Sequence, residues 1–89
     1  MATVENSAKR NAAQLFGAAL KTIRKSKGLS QERFGAELGL HRTHVGFLER
    51  GLRDPSFSTV YKIAKGLKMS LVELMSYVEE EEVKTSSQK

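Results

Sequence analysis

Apolar residues recur along this chain at steps of three and four, and the recurrence breaks at glycines. Ala8, Ala12, Leu15, Phe16, Ala19, Leu20 and Ile23 form the first stripe, with Lys9, Arg10, Lys21 and Lys25 on other faces. That period predicts an amphipathic helix. Gly28 closes it through a left-handed turn, and Lys25 and Lys27 suit the negative helix end. Ser30 is placed to cap a second helix, with Leu29 ahead of it as an apolar staple. Phe34 and Leu38 give that helix its inward face, and Gly39 ends it after about nine residues. Leu40 plugs the angle before a third helix over residues 41–50, whose Val45 and Leu48 point inward and which Gly51 closes. Residues 52–55 make a polar turn. Ser56 then caps a fourth helix with the apolar set Phe57, Val60, Ile63, Ala64 and Leu67. Ser70 with Glu73 forms a capping box for a fifth, which carries Leu71, Leu74, Met75 and Val78.

No strand-like alternation interrupts these patterns, so the expected fold is all α, a five-helix domain over residues 7–79. Residues 1–6 carry no periodicity and read as a disordered lead; residues 80–89 read as a charged, flexible tail that frays soon after the fifth helix. At 89 residues the chain holds one small domain, and with no cysteine it has neither disulfides nor thiolate metal sites. A core of this size rarely supplies more than about 3–5 kcal/mol, so compact helix packing or dimerisation must add to it. No apolar run approaches the ~18 residues of a membrane span, and the N-terminus lacks the apolar core of a signal peptide. A cytoplasmic protein without a membrane partner is expected.

Charge changes the picture more than composition does. The 15 basic and 10 acidic residues leave +5 overall, yet between Lys9 and Lys68 there are 13 basic against 4 acidic residues, a local net of +9. A basic body with an acidic tail points to a polyanion, DNA or RNA. RNA is disfavoured by the lack of an aromatic pair on a strand surface for base stacking. An enzyme is not expected, because no nucleophile–base pair, phosphate loop or metal cluster occurs; neither a cofactor nor a small-molecule ligand is implied. His41 and His44 lack the cysteine or clustered carboxylates that would complete a metal shell.

Two short helices joined by a tight turn are a helix-turn-helix by layout. The residues inside it carry a resemblance. Leu29, Ser30, Gln31, Gly35, Gly39 and Leu40, then Glu49, Arg50, Gly51 and Asp54, Pro55, Ser56, follow the pattern of the phage-repressor helix-turn-helix family, lambda repressor-like, Cro-like and XRE-type. Gly35 stands where alanine is more usual. The run from His41 to Val45 followed by Glu49, Arg50 and Gly51 is also similar to controller proteins of restriction-modification systems, although His44 replaces a tyrosine common there. Small dimeric regulators that control their own operon are what that likeness implies. Phage regulators and antitoxin-type repressors remain open, as does a protein-interaction scaffold on the same fold.

The chemistry of the candidate residues fits DNA. Gln31 sits at the positive end of the second helix, where side chain and free amides together hold a phosphate. On the third helix, the face away from Val45 and Leu48 carries Arg42, Thr43, Gly46 and Phe47, with His44 alongside. Arg42 can span guanine O6 and N7; Thr43 can donate to a base acceptor or pack on a thymine methyl. His44 can bond a base edge or a phosphate, and His41 can touch the backbone. Gly46 permits close approach without readout. Phe47 either contacts a thymine methyl or folds inward as extra core. Arg50 and Arg53 fall where flanking phosphates or the minor groove would pass. Gly35 lets the third helix approach the second. The resemblance further implies that Arg24 pairs with Glu49, tying the reading helix to the scaffold. One head reads too few base pairs alone, so a homodimer on a pseudo-palindromic double-stranded operator is expected, with Leu71, Leu74, Met75, Tyr77 and Val78 as its contact stripe.

Overall fold

Each helix begins where a side chain takes up a free first-turn amide. In the structure, a computed structural model that describes residues 10–87, the order is α1 Ala12–Ser26, α2 Gln31–Leu38, α3 Arg42–Glu49, α4 Phe57–Leu67 and α5 Leu71–Ser87. Ser30 Oγ accepts from the Arg33 amide at 3.0 Å and Ser56 Oγ from the Thr59 amide at 3.1 Å. Ser70 and Glu73 bond each other's backbone amides at 3.0 and 3.1 Å, the expected capping box. A second box starts α1: Asn11 accepts from the Gln14 amide and Gln14 from the Asn11 amide, both at 2.8 Å. Extended backbone at Asn11 (φ −81°, ψ 176°) makes it the cap, so Arg10 precedes the helix rather than lying on it. The expected lead at 1–6, with Ala8 and Lys9, lies outside the described residues.

The glycine stops are where the pattern puts them: Gly28, Gly39 and Gly51 have φ of 69°, 73° and 72°. Helix α4 instead ends on Lys68 at φ 60°, a left-handed lysine that costs roughly 1–2 kcal/mol and that no residue preference announces. Leu20, Ile23, Phe34, Val45, Leu48, Ile63 and Leu74 are fully buried and form the centre. Around it α1 packs on α3 and α5, and α2 on α3 and α4. Among the described residues there is no strand, and no helix is long and apolar enough to cross a membrane.

Two expectations are corrected here. Phe57 is 70% exposed rather than inward: as the first residue of α4 it sits on the flank shared with Tyr61, its ring 6.2 Å from that ring, while Val60, Ile63, Ala64 and Leu67 face the core. The tail expected from residue 80 is helical through Ser87. Its inward stripe simply changes character, from Leu74 and Val78 to Glu81 and Thr85. Glu81 is buried and accepts from Arg10 at 3.2 Å, Thr22 at 3.0 Å and Lys84 at 3.2 Å. Arg10 also donates to the Glu81 carbonyl at 3.1 Å and to Thr85 Oγ1. This polar clasp fastens the end of α5 to α1.

Burial pushes the Glu81 carboxyl up, but hydrogen bonds from Lys84, Thr22 and Arg10 outweigh it and hold the group below its ordinary value. A carboxyl depressed in the folded state stabilises above its unfolded value and loses that contribution as pH falls through the folded one. Thermal melts below the ordinary carboxylate range should therefore fall more steeply for wild type than for Glu81→Gln, which has no proton to take up. Parallel acid limbs for the two proteins would contradict the clasp.

Candidate nucleic-acid interface

Helix α3 is seated by backbone contact. A Cβ on Gly17 would lie 2.0 Å from the Leu48 carbonyl oxygen and 2.8 Å from that of Glu49, so only glycine lets α1 meet the end of α3 this closely. At Gly35 a Cβ would lie 2.4 Å from the Leu40 carbonyl oxygen and 3.4 Å from a Val45 methyl. The crowding expected there from the third helix comes chiefly from the turn that precedes it.

The Arg24–Glu49 pair locks this seat. Arg24 Nε donates to Glu49 Oε2 at 2.7 Å and Nη2 to Oε1 at 3.1 Å, while Nη1 donates to the Leu29 carbonyl at 2.9 Å. Their side chains are 12% and 2% exposed, so a bidentate pair of this kind holds geometry where water cannot compete. The hydrogen bond to Glu49 pushes Arg24 above its ordinary value against the opposing effect of burial, and the guanidinium stays charged. Gln31 joins the network, its Nε2 donating to Glu49 Oε1 at 3.0 Å. The side chain expected to meet a phosphate is thus held by the same carboxylate that anchors α3.

Five of the candidate residues converge. Gln31, Arg42, Thr43, Gly46 and Arg50 line one open cleft of about 320 Å³ between the start of α2 and the outward face of α3. Arg42 and Thr43 are exposed. Among the described residues Arg42 has one ion-pair partner, Glu32, at 3.7 Å with both side chains well exposed, a pairing weak enough to exchange for another anion. Gly46 forms the floor of this cleft, where a Cβ would meet Gln31 at 3.6 Å, an ordinary contact. His41 serves the fold as well: its Nδ1 accepts from the Thr43 amide at 3.0 Å and caps α3, which leaves Nε2 for a partner. His44 is half-buried on α3 and does not line the cleft. Phe47 does not fold inward as extra core. Its half-buried ring lies under two guanidiniums, Arg50 at 5.6 Å and Arg53 at 4.9 Å from the centroid. Among the described residues no cluster of three histidines or carboxylates could hold a metal.

The expected dimer stripe is only partly available. Leu74 is 0% exposed in the single chain and is spent in its own core, so it cannot serve a partner. Leu71, Met75, Tyr77 and Val78 are half-buried at the core's edge. Outside that stripe, Val72 is 77% exposed on the same helix, and Phe57 and Tyr61, four residues apart, form an exposed ring pair on α4.

Over residues 20–74 the sequence matches the HTH_3 family, described as helix-turn-helix. The control protein C.MunI of Mycoplasma sp is 45% identical over 67 residues, which cover 74% of this chain and 90% of that protein. Among solved structures, the restriction-modification controller protein C.AhdI from Aeromonas hydrophila is 40% identical with a TM-score of 0.64, covering 70% of this chain and 94% of its own. The controller protein C.Esp1396I, solved as a tetramer in complex with its natural 35 base-pair operator, is 27% identical with a TM-score of 0.75 over 84% of this chain and 99% of its own. With five helices, the tight α2–α3 turn and a match over more than half its length, this protein belongs to the XRE-type helix-turn-helix family.

Proposed function

We propose that this protein is a sequence-specific double-stranded DNA-binding transcriptional regulator of the restriction-modification controller kind, acting in the cytoplasm as a homodimer on a pseudo-palindromic operator. The observation that carries the reading is the convergence of Gln31, Arg42, Thr43, Gly46 and Arg50 on one cleft beside α3. An α-helix fits the major groove, where Arg42 and Thr43 reach base edges while Gln31 at the start of α2 and Arg50 beyond the end of α3 meet the phosphates on either side. The Arg24–Glu49–Gln31 network keeps these groups in one frame, so the reading residues and the backbone clamps move together. Likeness to C.MunI and C.AhdI supports the controller assignment, and the operator complex of C.Esp1396I, a tetramer, supports an oligomer on duplex DNA. Two heads set one helical turn apart, about 34 Å, would read a site long enough to be unique. Leu71, Met75, Tyr77, Val78 and the exposed Val72 provide apolar surface on α5 for that pairing.

Gel shifts against genomic fragments at rising salt test the reading. A preferred fragment should compete over random duplex, and Arg42→Ala should reduce that preference by about 1–3 kcal/mol while leaving weak, salt-sensitive binding in place. Equal binding to all duplexes, or an unchanged preference in Arg42→Ala, would overturn it.

A further inference from the structure

We propose that Phe47 is a positioning residue, an aromatic pedestal that gathers Arg50 and Arg53 into one ordered pair of guanidiniums for the DNA phosphates beside the α3 reading face. The inference rests on the DNA-binding reading above and gives a role to a side chain that it leaves unused. The turn after α3 sets the geometry. With Gly51 in the left-handed region, the Leu52 amide donates back to the Phe47 carbonyl at 2.9 Å and the Gly51 amide to that of Leu48 at 3.0 Å. This paired closure folds the chain back on the helix end and returns Arg53 over the ring of Phe47. Both guanidinium carbons lie within the ~6 Å at which an aromatic face attracts a cation.

Like charges held together repel, and the usual remedy is a carboxylate. Among the described residues neither arginine has one within ion-pair distance, although Asp54 is next in sequence to Arg53. The ring, whose π-system is negative on its faces, is what stands in its place. It orders two flexible side chains without neutralising them, which leaves their full charge for a polyanion. Arg50 also lines the reading cleft, so the pair continues directly from the base-reading residues toward the flanking backbone. Phe47 lies outside the buried core cluster, so its role is separable from folding.

Phe47→Leu keeps an apolar side chain and removes the aromatic face; Phe47→Tyr keeps the face. On the preferred duplex, Phe47→Leu should bind about 5–20-fold more weakly with unchanged base preference and little change in melting temperature, whereas Phe47→Tyr should stay within about twofold of wild type. In an Arg50→Ala/Arg53→Ala background, Phe47→Leu should add almost nothing, because the groups it positions are gone. Without DNA, proton NMR should show Arg53 δ-methylene signals shifted upfield by the ring in wild type and released in Phe47→Leu. Losses that add to those of the arginine substitutions, a preference altered at one base pair, or Arg53 signals at ordinary positions in wild type would each overturn the pedestal. A wild-type protein with ring-shifted Arg53 signals and no preference among duplexes would instead remove the DNA-binding reading, and the pair's role with it.

Discussion

Glu49→Ala is expected to lower folding stability by about 3–5 kcal/mol, which for a domain of this size is a fall in melting temperature of about 12 °C or more. The reason is what stays behind. Arg24, whose side chain is 12% exposed, would keep its charge and lose both carboxylate contacts, and the Gln31 amide would lose its acceptor. Removing one member of a buried pair costs far more than the pair contributes as a whole. Replacing both, as Arg24→Met with Glu49→Leu, should recover much of the stability, since no uncompensated charge remains. Affinity for the preferred duplex should not recover with it, because α3 and Gln31 would no longer share an anchor. Circular-dichroism melts and gel shifts on the two proteins separate these effects. A Glu49→Ala protein melting near wild type would show that the pair is ornamental.

Gly17→Ala should be of comparable size and opposite to simple expectation. In an open helix, alanine is favoured over glycine by up to ~1 kcal/mol. At position 17 the new Cβ would fall 2.0 Å from the Leu48 carbonyl oxygen, a backbone atom that cannot rotate aside. Either α1 or α3 must move, and overpacking costs about 1–3 kcal/mol, with the upper end expected where a backbone atom is the obstacle. The shift would also carry α3 outward, so DNA affinity should fall in whatever fraction stays folded. Gly46→Ala is the matched control: with its nearest contact 3.6 Å away, the added methyl should raise the melting temperature slightly. Urea unfolding of both variants checks the pair of signs, and a stabilised Gly17→Ala would contradict the seating of α3 described above.

The contrast between these two glycines shows what a sequence can carry. Caps at Ser30, Ser56 and Ser70 and stops at Gly28, Gly39 and Gly51 are legible because each acts through its own backbone within one turn. The inward faces of α1, α2 and α3 are legible because burial imprints the helical period. Gly17 is silent, because its meaning lies in a carbonyl 31 residues away along the chain. Glu81 reads as solvated for a similar reason: its partners Arg10 and Thr22 come from the other end of the molecule. Spacing alone places Phe57 inward, and spacing does not say where the core ends. His41 reads as a DNA contact, and histidine is an uncommon cap whose ring nitrogen does here what serine does elsewhere. Arg24 and Glu49 pair only through family resemblance, since no local pattern links residues 25 apart. The reading cleft itself is nearly complete in sequence, as one helix face and one helix start suffice to define it.

Selection of bound duplexes from a random library most directly tests the central claim, that one α3 face per subunit reads DNA in a two-fold assembly. The selected sites should share a pseudo-palindrome with half-sites about one helical turn apart, and the same selection with Arg42→Ala should lose information at a guanine in each half while keeping the spacing. Recovery of no common sequence, or of a consensus that Arg42→Ala leaves intact, would contradict it.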